Sequence, residues 1–264
     1  MKSSERIVVL IPARYASSRY PGKPLVMLTG KDGVPKSLIQ RSWEAAKSVR
    51  GVDAVYVCTD DDRIREAALA FGAEVIMTSE ACANGTERCA DALQYIAEPA
   101  TLYINLQGDA PLTPAWFVEG LIEAMTADPS VQMATPVLRC DAETHANFMD
   151  DRQNGRVGGT TAVFDKNLNA LYFSKEVIPY TGKTFGAGDL IPVFHHVGVY
   201  GYRPEALKSY SSWPVGPLES YEGLEQLRFL ENGMPIRCVE VDGRGRVFWE
   251  LNNPVDVARI EQVL

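Results

Sequence analysis

The chain has 264 residues, 46% of them hydrophobic and 23% charged, with a net charge of −8 and a pI of about 5.0, which is the scale of one large α/β domain or one domain with a sizeable insertion. Its acidic balance argues against a general nucleic-acid binder, yet a few focused cations could still hold a nucleotide. Five widely spaced cysteines without C-x-x-C argue against a disulfide framework or zinc site and fit a reducing cytoplasm, and no apolar run approaches the ~18 residues of a membrane span.

Ile7 to Ile11 is a continuous, largely β-branched run ended by Pro12, the pattern of a strand buried on both faces. It is too short for the core of a signal peptide. Leu38 to Val49 has helical apolar spacing, Ala54 to Cys58 reads as a second strand, and Asp61 to Ala70 as a helix capped by Asp60 or Asp61. Glu74 to Met77 is a third strand, Glu87 to Ile96 a helix and Leu102 to Leu106 a fourth strand. Thr113-Pro114 carries the cap-then-proline signature of a helix start. This alternation predicts an α/β fold with a doubly wound, mostly parallel sheet.

After Leu138 the pattern changes. Residues 139–157 are polar, with no clear period. Thr160 to Phe164 and Ala170 to Phe173 read as short strands of a small antiparallel piece, and the glycine-containing stretch Thr181 to Leu190 as a loop. Val197 to Tyr202 is a strand, Leu218 to Glu231 a helix and Ile236 to Val241 a strand. Asn253-Pro254 opens a last helix to Val263. The simplest organisation is one domain over 1–264 with an embedded subregion over about 139–200.

The first strand runs into Pro12-Ala13-Arg14-Tyr15-Ala16-Ser17-Ser18-Arg19-Tyr20-Pro21-Gly22-Lys23. In open α/β sheets ligands bind outside the carboxyl ends of the strands. Arg14, Arg19 and Lys23 could neutralise a triphosphate there, with loop N–H groups cradling its oxygens; a solvated surface loop is the competing reading. The loop matches neither G-x-x-x-x-G-K-[ST] nor G-x-G-x-x-G, which disfavours a P-loop kinase or a nicotinamide dehydrogenase.

Ile11 to Arg19 together with Pro21-Gly22-Lys23-Pro24-Leu25 resembles the signature of the 3-deoxy-manno-octulosonate cytidylyltransferases, the CMP-Kdo synthetases. The resemblance continues in order through Cys58-Thr59-Asp60-Asp61, Asn84-Gly85-Thr86-Glu87-Arg88, Gln107-Gly108-Asp109-Ala110-Pro111-Leu112, Ala170 to Ser174, Gly198 to Arg203, and Pro217 to Arg228. It implies a homodimeric, Mg²⁺-dependent nucleotidyltransferase of the cytoplasm, serving lipopolysaccharide synthesis. The anomeric hydroxyl of a 2-keto-3-deoxy sugar acid would attack the α-phosphate of CTP and release pyrophosphate. Arg14, Lys23 and Asp109 would be catalytic. Ala13, Arg14, Ser17, Ser18, Arg19, Lys23, Gly85, Arg88 and Gln107 would bind the nucleotide. His196, Tyr200, Glu225 and Gln226 would line the sugar-acid pocket.

An aspartate at a strand's carboxyl end beside a glycine, as in Gln107-Gly108-Asp109, is well placed for Mg²⁺, although such residues often serve as turn or cap. The family usually supplies a second carboxylate in a Val-Asp-Thr-Pro type stretch. Here the corresponding stretch is Leu251-Asn252-Asn253-Pro254, which makes Asn252 the expected second ligand, with Glu250 as an alternative carboxylate. Two other positions depart from the family: Thr161 stands where a lysine is usual, and Ala110 where a glutamate is common. A sialic-acid-type CMP synthetase, a uridylyl- or thymidylyltransferase on a sugar phosphate, and a non-catalytic nucleotide sensor remain as alternatives.

Overall fold

The computed structural model describes residues 5–16, 20–157, 159–246, 248, 250–251, 254 and 256–264. β1 (Ile7–Ala13) is buried along its whole length. After a short hairpin, β2 (Met27–Thr29) and β3 (Pro35–Ser37), the Ser37 hydroxyl caps α1 (Leu38–Lys47). β4 (Ala54–Thr59) leads to α2 (Asp62–Ala70), capped by Asp61, and then to β5 (Glu74–Met77). α3 (Gly85–Ala92) starts two residues earlier than its apolar period suggests. The Asn84 side chain accepts from Glu87 N in the first turn, and the Glu87 carboxylate reaches back to Ala83 N just before the cap, so the two side chains fix the helix start reciprocally.

β6 (Leu102–Leu106) precedes α4 (Ala115–Ala127). Thr113 does not cap this helix: its buried hydroxyl has no partner among the described residues, and Pro114 itself stands at the cap position. β7 (Met133–Arg139) follows, a strand that the sequence reading passes over, and then α5 (Ala142–Gln153). α5 corrects the expectation of irregular structure over 139–157. It buries only His145 and Phe148, too narrow a stripe to register as a period, and the Asp141 carboxylate caps it through Thr144 N at 2.7 Å.

β8 (Thr161–Phe164), β9 (Ala170–Ser174), β10 (Phe194–His196) and β11 (Val199–Tyr202) come next, then α6 (Pro204–Ser212). The helix expected over 218–231 is two pieces, α7 (Pro217–Glu222) and α8 (Leu227–Glu231), because Gly223 takes a left-handed conformation (φ 62°) that ends α7. β12 (Arg237–Val241) and α9 (Asp256–Glu261) complete the described elements.

The main sheet runs β5-β4-β1-β6-β11-β7-β10-β8-β9, with β12 on the free edge of β7. β5, β4, β1 and β6 are mutually parallel, with helices on both faces, as the βαβ alternation requires. The antiparallel strands β8, β9 and β10 extend the same sheet. One apolar layer packs Ile7, Val9 and Ile11 against α1 and α4; the other packs Val8 and Leu10 with Cys89, Tyr200, Tyr202 and Phe229. All five cysteines are free thiols, and no described helix is long and apolar enough to cross a membrane.

Candidate active site

The parallel topology aligns the carboxyl ends of β1 and β6, and the chain emerging from each forms one wall of a cleft. After Ala13, which is buried in the core and can meet a ligand only through its backbone, the exposed Arg14 donates to the Ala83 carbonyl at 3.1 Å. Gly22 N closes the loop onto Tyr15 O at 3.0 Å. Gly22 has φ 71°, and a Cβ there would press on the Tyr15 ring at 3.1 Å, so both conformation and space call for glycine. The Arg63 guanidinium lies 3.3 Å from the centroid of the same ring and pins it from α2. Ser17, Ser18 and Arg19 lie outside the described residues.

Lys23 opens a short 3-10 turn and reaches across to β6, where Nζ donates to Asp109 Oδ2 at 2.6 Å. These side chains are only 17% and 25% exposed, so the pair sits in the cleft wall and not on open surface. Gly108, before Asp109, lets β6 close on β1: a Cβ there would meet Pro12 O at 2.8 Å. The Ser42 hydroxyl fixes the Gly108 carbonyl at 3.0 Å.

Gln107 and Gly85 meet beside this strand end. A Cβ on Gly85 would lie 2.9 Å from Gln107 Nε2 and 3.3 Å from the Pro12 ring, so glycine lets the start of α3 touch the Gln107 amide. Arg88 is not the exposed helix residue that its position allows: it is 2% exposed, donating to Thr78 Oγ1 at 2.6 Å and Asp60 Oδ2 at 3.0 Å. It braces the site's floor from α3 to the end of β4. The sequence block Cys58 to Asp61 contained the signal for this pair, but nothing in the sequence joined Asp60 to Arg88.

The four acceptor-side residues assemble. Tyr200 OH donates to Gln226 Oε1 at 3.2 Å, and the His196 and Tyr200 rings lie 5.6 Å apart. Glu225 accepts from Gln107 Nε2 and from Thr86 N, each at 3.0 Å. Glu225 and Gln226 are not exposed helical residues; they occupy the turn between α7 and α8, facing inward. Beside Tyr200 in register stands Asn105, buried with both amide atoms unpartnered among the described residues. An asparagine inside the apolar strand Leu-Tyr-Ile-Asn-Leu was the sequence signal for this polar floor.

His195 and His196 face opposite sides of the sheet, as strand alternation requires. His195 packs edge-on against Phe148 and Phe248. His196 Nε2 lies 3.0 Å from Thr135 Oγ1. That hydroxyl also lies 2.8 Å from the Val199 carbonyl and 3.2 Å from the Val197 carbonyl, so it joins the imidazole to the backbone after β10. Burial lowers the His196 pKa to about 3 and that of His195 to about 4. His196 is therefore a neutral hydrogen-bonding group and brings no positive charge to a sugar carboxylate.

These shifts have a measurable consequence. With an ordinary pKa of 6.5 for the exposed imidazoles, the unfolded chain takes up protons below pH 6.5 that the folded chain refuses until about pH 4 and then 3. Stability is therefore full above pH 6.5 and falls as pH drops, by up to ~1.4 kcal/mol per pH unit for each histidine. Denaturant midpoints should fall between pH 6.5 and 5, where most carboxylates remain ionised, and His195→Phe should flatten the slope. A wild-type midpoint constant across that interval would contradict the buried neutral imidazoles.

The two departures have structural roles. Thr161 is buried, donating to Glu176 O at 2.6 Å and accepting from Ile178 N at 3.2 Å, so it clamps the chain after β9. Ala110 is fully buried, at a place that would not tolerate an unpaired carboxylate. Asn252, with Asn253, lies outside the described residues. Leu251 N donates to Asp109 O at 2.9 Å, and the Leu251 side chain is buried beside Leu28 and Leu38. Glu250 turns toward the cleft: its Oε1 would lie 2.8 Å from a Cβ on Gly198, with Gln107 Cγ 3.8 Å from the same point.

The cytidylyltransferase family profile matches residues 8–236. A 3-deoxy-manno-octulosonate cytidylyltransferase of Maricaulis maris is 46% identical over 258 residues, 98% of this chain and 96% of its own. An 8-amino-3,8-dideoxy-manno-octulosonate cytidylyltransferase of Shewanella woodyi is 40% identical over 88% of each chain. Among solved structures, a CMP:2-keto-3-deoxy-manno-octonic acid synthetase complexed with CTP superposes with a TM-score of 0.81 at 35% identity, covering 97% of both chains. With near-full-length identity of this order and the same fold around the cleft, the chain belongs to the cytidylyltransferase family, among the 3-deoxy-manno-octulosonate cytidylyltransferases.

Proposed function

We propose that the protein transfers CMP from CTP to a 2-keto-3-deoxy sugar acid, Kdo or a close relative. The observation that carries this reading is the cleft itself. Lys23 and Asp109 pair at 2.6 Å across the carboxyl ends of β1 and β6, beside the hydrogen-bonded pair Tyr200 and Gln226, whose neighbour Glu225 bonds back to Gln107. The anomeric oxygen of the sugar forms a bond to the α-phosphorus, the bond from that phosphorus to the oxygen bridging to the β-phosphate breaks, and pyrophosphate leaves as the hydroxyl proton is lost. Arg14 and Lys23 neutralise the triphosphate and the departing pyrophosphate, Gly85 and Gln107 contact the nucleotide, and His196 and Tyr200 orient the sugar by hydrogen bonds.

The residues suit magnesium. Asp109 offers a partly exposed carboxylate, and no cluster of three or more His, Cys, Asp or Glu side chains stands ready for a metal among the described residues. Phosphate oxygens and water would complete the shell of a bound ion, as Mg²⁺ ordinarily prefers beside a nucleotide. Asp109 would be the anchoring ligand, with Asn252 or Glu250 as the candidate second ligand that the resemblance implies. When bound, the ion neutralises phosphate charge and orients the attacking oxygen. The same reading carries a cytoplasmic homodimer formed through residues 139–200 and a role in lipopolysaccharide synthesis.

The test is pyrophosphate release from CTP, UTP and dTTP against Kdo, its 8-amino analogue, a sialic acid and a sugar phosphate. CTP with a 3-deoxy-octulosonate should be the productive pair, silenced by EDTA and restored by Mg²⁺. Turnover confined to UTP or dTTP would replace the cytidylyl assignment. CTP binding with no turnover on any acceptor would favour a sensor.

A further inference from the structure

Among the described residues, Glu225 is the acceptor-side residue that hydrogen-bonds into the nucleotide wall. It sits in the turn 223–226, next to Gln226, which holds the Tyr200 phenol at 3.2 Å. Its own oxygens point the other way: Oε1 accepts from Gln107 Nε2 at 3.0 Å and Oε2 from Thr86 N at 3.0 Å, in the first turn of α3. Gly85, between them, packs its backbone against the Gln107 amide. We propose that Glu225 is a positioning residue that joins the two halves of the site, fixing the Gln107 amide with Oε1 as its outward acceptor and holding the start of α3 for the nucleotide. This rests on the reading above that Gly85 and Gln107 face the nucleotide.

The chemistry leaves little freedom. A carboxylate only accepts hydrogen bonds, so Gln107 must turn its NH₂ toward Glu225 and leave its carbonyl oxygen for the ligand. Thr86 N is backbone and cannot turn away. Burial raises the Glu225 pKa, while the Thr86 and Gln107 bonds act to lower it, so these two contacts help keep the group in the accepting form. The arrangement places one side chain between the turn that faces the sugar and the amide that faces the nucleotide.

Glu225→Gln tests this by geometry. The new amide must give its oxygen to Thr86 N and its NH₂ to Gln107, which forces the Gln107 amide to flip and present NH₂ outward. Calorimetric titration with CTP alone, no acceptor present, should then show affinity weakened on the order of tenfold. Combining Glu225→Gln with Gln107→Glu restores an outward acceptor and the total charge, and should recover most of the lost affinity. As a second arm, Gln107→Ala provides a background in which Glu225→Gln should weaken CTP little further, with a melting curve for each variant confirming that it is folded. The idea is overturned if Glu225→Gln binds CTP like wild type and raises only the acceptor KM, or if its cost for CTP is unchanged in the Gln107→Ala background. Wild-type protein that does not bind CTP at all would instead overturn the nucleotide reading.

Discussion

Lys23→Ala should lower kcat for CMP transfer by roughly 10²–10³-fold, the cost of removing one preorganised charge from a transferring group, with little change in thermal stability. The lysine reaches the turn after β6 through one ion pair, Nζ to Asp109 Oδ2 at 2.6 Å, and is 17% exposed. A single partly exposed pair contributes little to folding after screening. The same charge beside a triphosphate acts where negative charge shifts onto pyrophosphate. Arg14→Ala should also slow the reaction, by less, because Arg14 is exposed and anchored by one bond to Ala83 O. Initial rates at saturating CTP and acceptor, with a melting curve for each variant, decide the point. Near wild-type rates in both variants would show that this loop is not the phosphate cradle. A fall in melting temperature with an intact rate would make Lys23–Asp109 a structural pair only.

The second large effect is on stability. Arg228→Leu should cost about 3–5 kcal/mol, the penalty for breaking a buried ion pair and leaving its partner behind. Arg228 is 2% exposed, and its guanidinium holds both oxygens of Glu219 at 2.6 and 2.8 Å. It also donates to Glu87 at 3.0 Å and lies 4.0 Å over the Tyr210 ring. Without it, Glu219, itself 7% exposed, is a buried carboxylate with no cation. Because the cluster ties α7 and α8 to α3, the loss should reach the site as well, through Glu225 and Thr86. Arg228→Lys should be milder but still costly, since an ammonium cannot reproduce the bidentate fork. Denaturant unfolding gives the numbers. Adding Glu219→Leu to Arg228→Leu should recover part of the loss, since the uncompensated charge is then gone. A cost below about 1 kcal/mol for Arg228→Leu alone would show the cluster to be screened by solvent.

Much of the parallel half was legible in the sequence because its signals are local. β1, β4, β5 and β6 are short apolar runs bounded by turn residues, and the helices between them carry their own caps at Asp61 and Ser37. The ordered family blocks and the position of Asp109 after β6 were also local features, readable without any three-dimensional contact. The antiparallel part was less legible. α5 buries only a two-residue stripe, and β7 contains Pro136, which interrupts a strand pattern even though the strand pairs on both edges. Gly223 broke an apparently continuous helix at a position where apolar spacing ran on through it. What only the tertiary structure decided were pairings between residues far apart in the chain: Lys23 with Asp109, Arg88 with Asp60, Arg228 with Glu219 and Glu87, and Glu225 with Gln107 and Thr86. A side chain's type fixes which partners it can satisfy; which of them it meets, and whether it is charged when it does, depends on packing. Burial makes His196 a neutral group, and the α7–α8 turn makes Glu225 a neighbour of the nucleotide wall.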